Sequence, residues 1–273
     1  MPYSVHATAR THPGLQRENN EDSYHVGSRL IVVADGMGGH EAGEVASAIT
    51  AEHFAEIDQK PADDGPYKTL AAAINSSSKA IAAAVESSPE LAGMGTTVTA
   101  VLFGDRRIVV ANVGDSRVYL YQRQHDRLTQ LTSDDSFVQM LVDSGEITPE
   151  QAHDHPYRSV VLKSINGDAV KPRFTTLVRM YGDRYLVCSD GLSDCVEPGD
   201  IASALAIEDI DAAADRLIEL TLEAGAPDNV TVIVADVVKI ADTEDHPAVE
   251  QYPRTEPIKI GSDPYPPAVT QGA

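Results

Sequence analysis

Four apolar segments of this sequence end in, or begin just after, an aspartate that stands beside Gly, Ser or Asn. They read LIVVADG, VVANVGDS, RYLVCSDG and PDNVTVIV, and their aspartates are Asp35, Asp115, Asp190 and Asp228. Short runs rich in β-branched residues are typical of strands, and Gly-Asp pairs are typical of tight turns. This pattern predicts a fold with many short strands, most of them joined by turns.

Helical patterns occur in pairs between these strands. Apolar residues recur at helical spacing over 41–57, 67–86, 198–206 and 209–224. Further strands are predicted over 29–34, 173–180, 184–189 and 229–238, with three more in the segments GTTVTAVLFGD and RIVVANVGDSRVYLYQR. Strands in hairpin-like runs, with paired helices between them, favour an antiparallel α+β layered fold over a doubly wound parallel sheet.

Three segments are less regular. Residues 3–26 mix alternating and turn-rich sequence, and residues 133–168 contain one or two short helices with a proline-bounded break, which is typical of an inserted loop or lid. Residues 241–273 are rich in proline and poor in apolar runs, so we expect a disordered tail or linker.

Charge and cysteine content exclude several functional classes. The formal net charge is −21, which disfavours binding to nucleic acids and to anionic lipid surfaces. No apolar run is long enough to span a membrane, and the N-terminus lacks the apolar core of a signal peptide, so we expect a cytosolic protein. Cys188 and Cys195 are interpreted as small core residues, because neither is followed by the arginine that a cysteine phosphatase needs.

The four aspartates have two competing interpretations. Asp is common in turns, so each one alone is more often a turn residue than a ligand. If the four strand ends converge, the carboxylates repel one another, and oxygen-binding divalent cations such as Mg²⁺ or Mn²⁺ would relieve that repulsion. Asp35 favours the second interpretation, because a helix follows it instead of a second strand.

The glycines after Asp35 do not form a nucleotide-binding loop. Gly36 and Gly38 fit a dinucleotide fingerprint, but Glu41 occupies its third glycine position, and the Gly-Lys-Ser/Thr of a Walker loop is absent. A glycine beside a metal-binding aspartate has another use, since its carbonyl approaches an ion with no side chain in the way.

Seven motifs occur in the order seen in the metal-dependent 2C-type (PPM) serine/threonine protein phosphatases, which the sequence resembles from residue 3 to about residue 240. They are GLQRENNEDS, VVADGMGGHEAGEVAS, GTTVTAVL, ANVGDSRVYL, the segment from LTSDDSFVQM to RSVVLKSI, YLVCSDGLSD and PDNVTVIVADV. The resemblance is strongest to the bacterial branch, and within it to actinobacterial phosphatases that oppose Ser/Thr protein kinases.

The resemblance implies a four-layer αββα sandwich, in which two antiparallel β-sheets are flanked by helix pairs. It implies a catalytic domain over 1–240 with a mobile flap at about 133–165, and a tail over 241–273. Relatives of this kind often continue through a linker into a membrane anchor. The sequence is compatible both with a soluble protein and with a full-length protein anchored beyond residue 273, and the catalytic domain is expected to be cytoplasmic in either case.

The resemblance also implies two or three Mn²⁺ or Mg²⁺ ions and assigns roles to individual residues. Metal ligands would be Asp35, the Gly36 carbonyl, Asp190 and Asp228, with Asp115 and Ser159 at a third ion. Arg17 would bind the substrate phosphate and act in catalysis with Asp35 and Asp190, while Glu21 and Asp22 would orient waters and Arg17.

One position departs from the family pattern. Eukaryotic members carry a histidine, a presumed general acid, two residues after the first metal-binding aspartate, and here that residue is Met37. His40 is a possible substitute, although histidines at helix starts are commonly structural, and a metal-bound water is the alternative acid.

Three functions are compatible with these residues. The first is a phosphoserine/phosphothreonine phosphatase that acts on phosphorylated Ser/Thr kinases and their protein substrates, and we expect it to be a monomer. The second is a catalytically inactive binding module on the same fold, which predicts missing ligands where none is missing. The third is a structural cation site, for example for Ca²⁺, which leaves Arg17 without a role.

Overall fold

The computed structural model describes residues 3–39, 42–59 and 65–239. The proline-rich segment 241–273, predicted to be a disordered tail, lies outside the described residues.

Within the described residues, the strands form two antiparallel sheets. One sheet has the order β1-β11-β10-β7-β8, and the other has the order β2-β3-β5-β6-β9 with the short strand β4 paired to β3. The strands are β1 (Tyr3–His12), β2 (Asp22–Val26), β3 (Leu30–Met37), β4 (Gly95–Thr96), β5 (Val98–Phe103), β6 (Arg107–Val113), β7 (Arg117–Gln122), β8 (Arg127–Gln130), β9 (Arg173–Val178), β10 (Asp183–Cys188) and β11 (Val230–Lys239).

Helices cover the outer face of each sheet. One pair packs on the β2–β9 sheet and another packs on the β1–β8 sheet, while two short helices lie in the segment between β8 and β9. The helices are α1 (Ala42–Asp58), α2 (Pro66–Ser87), α3 (Phe137–Asp143), α4 (Pro149–His153), α5 (Asp190–Ser193), α6 (Pro198–Leu205) and α7 (Ile210–Glu223).

The strands bury both of their faces, which explains their continuous apolar sequences. In β3, Leu30 and Val32 pack under α1 and α2, whereas Ile31 and Val33 face the β1–β8 sheet. In β11, the alternate residues of 230–234 pack under α6 and α7, and those of 233–237 face the β2–β9 sheet. Three apolar layers thus separate four layers of secondary structure, and the predicted αββα sandwich is confirmed.

Three strands, β1, β2 and β8, lie where the sequence analysis placed none. In β1 the inward residues Tyr3, Val5, Ala7 and Ala9 are small or only partly buried, so the apolar alternation is weak. Its outward residue Arg10 instead pairs with Asp211 (3.0 Å) and Asp215 (2.6 Å) of α7. That long-range contact has no local sequence pattern, so the strand could not be recognised from periodicity.

The cysteines lie as expected. Cys188 is fully buried under α6 and α7, where burial raises the pKa of its thiol to about 12, and Cys195 packs against the same cluster. Among the described helices, none combines the length and apolar character needed to cross a bilayer.

Candidate metal and phosphate site

Asp35 lies near the end of β3, where its backbone is held from the neighbouring strands. The Asp35 carbonyl accepts hydrogen bonds from the Thr97 amide (2.8 Å) and the Thr96 hydroxyl (2.9 Å), and the Asp35 amide donates to the Thr97 hydroxyl (3.1 Å). Asp22 stands directly opposite Asp35 across the β2–β3 pair. Strand pairing therefore fixes the position from which both carboxylates extend.

Gly36 lies where β3 meets α1. Its amide donates to the Glu21 carbonyl (3.1 Å), and a β-carbon added to Gly36 would stand 2.2 Å from the Gly43 carbonyl oxygen. A contact that short is impossible, so this position requires glycine. The close approach holds the first turn of α1 against the strand end that carries Asp35.

Asp190 and Asp115 lie at the same end of the sandwich as Asp35. Asp190 begins α5 directly after β10, and Asp115 lies in the turn between β6 and β7, where it is buried. Burial, and then the charge of Asp134, raise the pKa of Asp115 to about 7. Burial, and then the charge of Asp115, raise the pKa of Asp190 well above its usual range.

Asp228 precedes β11 and pairs with the predicted phosphate-binding arginine. Arg17 donates a 2.7 Å hydrogen bond to Asp228 Oδ2, while Asp228 Oδ1 accepts from the Asn229 amide (2.8 Å). Arg17 is about half exposed, so its remaining donors face solvent. The structure thus places a guanidinium beside the acidic cluster, as the resemblance implies.

Asp22 is almost fully buried behind this cluster. Its Oδ2 accepts a hydrogen bond from the Ser189 hydroxyl (2.8 Å), whereas its Oδ1 is buried and has no hydrogen-bond partner within residues 3–39, 42–59 and 65–239. Burial is the main cause that raises the pKa of Asp22 to about 6. Glu21, one residue earlier, is partly buried, and desolvation raises the pKa of its carboxyl as well.

These carboxylates form a cluster in which the negative charge of each one acts on the others. Burial first, and then the charges of Asp22, Asp190, Asp115 and Asp228, raise the pKa of Asp35 well above its usual range. Among the residues that the structure describes, no three acidic, histidine or cysteine side chains stand so that they could hold one ion as placed. Asp228, for example, is turned towards Arg17. The structure therefore brings the predicted aspartates together without a complete coordination shell.

The donor set nevertheless fits hard divalent cations. Every candidate ligand is an oxygen atom, which Mg²⁺ and Mn²⁺ prefer to nitrogen and sulfur. The carboxylates repel one another in a buried setting, and Asp22 Oδ1 lacks a partner. A positive charge would offset the repulsion and would interact with the unpaired oxygen, because a carboxylate buried among like charges is costly when ionised.

The predicted flap forms a wall of a cavity of about 660 Å³ beside the cluster. Asp115 and Asp190 line the cavity on one side, and Gln139, His153 and Arg158 of the flap line it on the other. The flap contacts the sandwich through Arg158, which stands 3.9 Å from Asp194.

The structure does not join Ser159 to the cluster. Ser159 is exposed, and within the described residues no hydrogen bond links it to Asp115. Met37, at the position of the family acid, ends β3 and is partly exposed. His40 lies outside the described residues.

Asn229 is the main residue that the sequence analysis missed. Its side-chain amide donates to the carbonyls of Pro13 (2.9 Å) and Asn19 (2.8 Å), and its Oδ1 accepts from the Glu21 amide (2.8 Å). These bonds connect the loop that carries Arg17 to the start of β11. The available signal was its place beside Asp228, but the sequence does not reveal partners about 210 positions away.

Comparison with known proteins places this geometry in a family. The family profile described as "Protein phosphatase 2C" matches residues 15–228. The serine/threonine protein phosphatase PstP of Mycobacterium tuberculosis is 48% identical over 254 residues, which cover 93% of this chain and 47% of that protein. The serine/threonine phosphatase stp of Listeria innocua is 34% identical, over 85% of this chain and 96% of that protein.

Solved structures agree with this similarity. A crystal structure of the M. tuberculosis phosphatase PstP/Ppp matches with a TM-score of 0.84 and 49% identity, over 86% of this chain and all of that one. A structure of the PstP catalytic domain in complex with two manganese ions matches with a TM-score of 0.81 and 49% identity, over 87% of this chain and all of that one. The chain spans about half the length of the mycobacterial curated relatives that it matches.

Proposed function

The chain belongs to the protein phosphatase 2C family, and from that premise we propose that it hydrolyses phosphoserine and phosphothreonine in proteins with the help of two or three Mn²⁺ or Mg²⁺ ions. The observation that supports this proposal most directly is the cluster of Asp35, Asp190, Asp115 and Asp228 beside Arg17. A structural cation site would need the carboxylates but not the half-exposed guanidinium.

We assign the metal ligands to Asp35, the Gly36 carbonyl, Asp190 and Asp228, with Asp115 at a third ion. When bound, the cations would lower the pKa of a water molecule so that it attacks phosphorus at neutral pH. PstP, which is 49% identical, binds two manganese ions in its solved structure. We further propose Ser159 as a ligand of the third ion and His40 as a proton donor.

Arg17 has the chemistry to hold the substrate phosphate. A guanidinium donates two parallel hydrogen bonds to phosphate oxygens and stays charged at every physiological pH. In the structure Arg17 donates a hydrogen bond to Asp228 and retains donors that face solvent. Asn229 and Glu21 hold the loop that positions it, so the arginine is fixed from two sides.

We further propose the physiological setting. The partners are phosphorylated Ser/Thr protein kinases and their substrates, by analogy with the bacterial relatives named serine/threonine phosphatases. Catalysis then takes place in the cytoplasm, where such kinase domains act, and the catalytic unit is a monomer over 1–240 with its flap at about 133–165.

The test is hydrolysis of a phosphothreonine peptide by the purified protein with Mn²⁺ and with excess chelator. We expect activity with Mn²⁺, and a loss of about hundredfold or more in Asp35→Asn and Asp190→Asn. Asp200→Asn, an equal change at an exposed carboxylate on α6, serves as the control and should retain activity. Full activity in chelator would refute the proposal.

The inactive binding module is the alternative, and the same experiment separates the two. A module without catalysis would bind the phosphothreonine peptide but release no phosphate with Mn²⁺. The four aspartates that such a module would be expected to lose are all in place.

A further inference from the structure

A second cavity, of about 710 Å³, lies at the end of the sandwich opposite the aspartate cluster. It opens between the start of β1, the β2–β3 and β5–β6 turns, and the end of β9. β3 runs from this end to Asp35, and a strand of that length places the two sites about 20 Å apart. The cavity is therefore separate from the proposed catalytic site.

Three arginines line this cavity, in a chain whose net charge is −21: Arg29, Arg106 and Arg179. Asp105 is the acidic residue among the lining side chains. Arg29 is held by the Ile57 carbonyl (3.0 Å) and by Asp58 (3.7 Å). The local charge is thus positive where the molecule as a whole is strongly negative.

Two of the three arginines lack an acidic partner among the residues that the structure describes. Neither Arg106 nor Arg179 makes an ion pair with any carboxylate that the structure describes. Arg179 lies over the Tyr3 ring, 4.9 Å from its centroid, and its Nε is buried without a hydrogen-bond partner in the described part of the chain. Arg107 and Lys239, at the same end, also lack a described carboxylate partner. A buried guanidinium donor without a partner is unusual, so Arg179 Nε is available to an acceptor that enters the cavity.

The geometry points to a phosphoryl group as the ligand. Guanidinium groups bind phosphate through paired, charge-assisted hydrogen bonds, and clusters of arginines are a recurrent way to recognise phosphorylated segments. A compact dianion gains from a few nearby cations, whereas an extended acidic chain would also be repelled by the rest of this acidic molecule.

The rim of the cavity indicates that a polypeptide carries this group. Val178 lines the cavity, and Val178, Met180 and Tyr181, which flank Arg179 in the sequence, are each more than half exposed. β1 is the outer strand of its sheet and contributes Tyr3, Ser4 and Val5 to the cavity wall. An exposed strand edge beside apolar side chains is suited to bind an extended peptide.

We propose that the cavity lined by Arg29, Arg106 and Arg179 binds a phosphorylated peptide segment, remote from the aspartate cluster. This site would hold a phosphoprotein on the enzyme without hydrolysing that phosphate. The proposal does not depend on hydrolysis at the aspartate cluster, because it concerns binding by different residues.

The test measures binding of a short fluorescent phosphothreonine peptide, flanked by alanine and leucine, to metal-free Arg17→Ala protein. The Arg17 substitution and the chelator weaken binding at the aspartate end. We expect Arg106→Ala with Arg179→Ala to weaken binding by about tenfold or more, because each removes charge-assisted hydrogen bonds. Arg127→Ala, an equal change at an exposed arginine on β8, is the matched control and should bind as the parent does.

Further variants and competitors in the same binding assay identify the ligand. Arg106→Lys with Arg179→Lys keeps the charge but loses the planar fork, so we expect weaker binding here too. Inorganic phosphate should compete weakly, and the same peptide without phosphate or with glutamate in its place should bind at least about tenfold less well. Equal binding of the parent and the double alanine variant would overturn the proposal, as would binding of anionic phospholipid vesicles in place of the peptide.

Activity separates this proposal from the proposed function. In the Arg17-containing protein, hydrolysis of p-nitrophenyl phosphate should be unchanged by Arg106→Ala with Arg179→Ala. A loss of peptide binding with unchanged hydrolysis supports the second site. An inactive parent protein that still binds the phosphopeptide through Arg106 and Arg179 would refute the proposed function alone.

Discussion

Gly36 is held so tightly between α1 and Glu21, the residue before β2, that any side chain would displace one of them. A β-carbon there would stand 2.2 Å from the Gly43 carbonyl oxygen and 2.6 Å from the Glu21 carbonyl oxygen. We expect Gly36→Ala to lower the free energy of unfolding by about 1–3 kcal/mol, the usual cost of overpacking. It should also weaken Mn²⁺ binding, because the shift moves the strand end that carries Asp35. Urea unfolding and calorimetric Mn²⁺ titration measure the two effects.

Gly39 provides a control within the same loop. A β-carbon on Gly39 would meet no atom within 4 Å. Gly39→Ala should therefore leave stability and Mn²⁺ affinity close to those of the parent protein. If both variants behave alike, the close approach of β3 and α1 is not what requires a glycine at position 36.

Asn229 is expected to act through Arg17. Its amide bonds to the Pro13 and Asn19 carbonyls hold both sides of the loop that carries Arg17. Asn229→Ala should raise KM for a phosphopeptide by about tenfold, because the guanidinium is no longer fixed. In an Arg17→Ala background the same substitution should have a much smaller effect on KM. Additive effects of the two substitutions would show that Asn229 does not position Arg17.

At the scale of elements, the sequence predicts those whose pattern is local. Strands β3, β5, β6, β10 and β11 have continuous apolar runs because both faces are buried, and α1, α2, α6 and α7 show helical spacing. By contrast, β1 and β2 were missed, since β1 is held partly by Arg10 and the acidic residues of α7. Interactions between distant parts of the chain leave no trace in a short window of sequence.

The same distinction applies to the candidate site. The aspartates were found because each stands at a strand end beside a small residue, which is a local pattern. Ser189, which donates to Asp22, and Thr97, which holds the Asp35 backbone, were missed because they act across strands. The sequence thus predicts the charged groups, and the structure adds the residues that orient them.

Asp135 connects the flap to the rest of the molecule through ion pairs and backbone hydrogen bonds. Its side chain is almost fully buried and pairs with Lys163 (2.6 Å) and Arg173 (3.0 Å). Its amide donates to the Gly114 carbonyl, next to Asp115, and its carbonyl accepts from the Leu162 amide. A single residue therefore joins both ends of the flap to the loop that carries Asp115.

We expect Asp135→Asn to release the flap while the sandwich stays folded. Two partly exposed cations lose their partner, which should cost about 1–3 kcal/mol of stability. Activity towards a phosphoprotein should fall several-fold more than activity towards p-nitrophenyl phosphate, because the flap wall faces the larger substrate. Asp143→Asn, at an exposed residue of α3, is the control. An equal loss on both substrates would contradict a role for the flap in substrate choice.

At the scale of the whole molecule, charge is divided between the two ends of the sandwich. Buried carboxylates gather at one end, where their pKa values are raised, and arginines without described acidic partners gather at the other. The strands hold these two groups apart, so a cation and an anion bound at opposite ends would each offset a local excess of charge. The buried acidic end has the larger consequence for stability, since desolvated carboxylates are costly when ionised.

The metal-free protein should lose stability as pH rises from about 4 to about 7. In the folded state the pKa of Asp22 is about 6 and that of Asp115 about 7, both raised from the model-peptide value of 3.8. Between the unfolded-state pKa and the raised folded-state pKa of each group, the folded protein keeps a proton that the unfolded chain has released. The stabilisation from these protons is therefore complete below pH 4 and is lost as pH passes 6 to 7. Each such group contributes a slope of about 1.4 kcal/mol per pH unit within its window.

Mn²⁺ should reverse this trend, because bound cations replace the protons and metal binding releases them. Thermal unfolding at pH 5 and pH 8, with chelator and with saturating Mn²⁺, measures both slopes. We expect the stabilisation by Mn²⁺ to be larger at pH 8, and Asp22→Asn with Asp115→Asn to flatten the metal-free slope, since asparagine does not titrate. A metal-free protein that becomes more stable from pH 5 to pH 8 would show that these carboxylates are ionised without a cation, and would remove the electrostatic argument for the metal site.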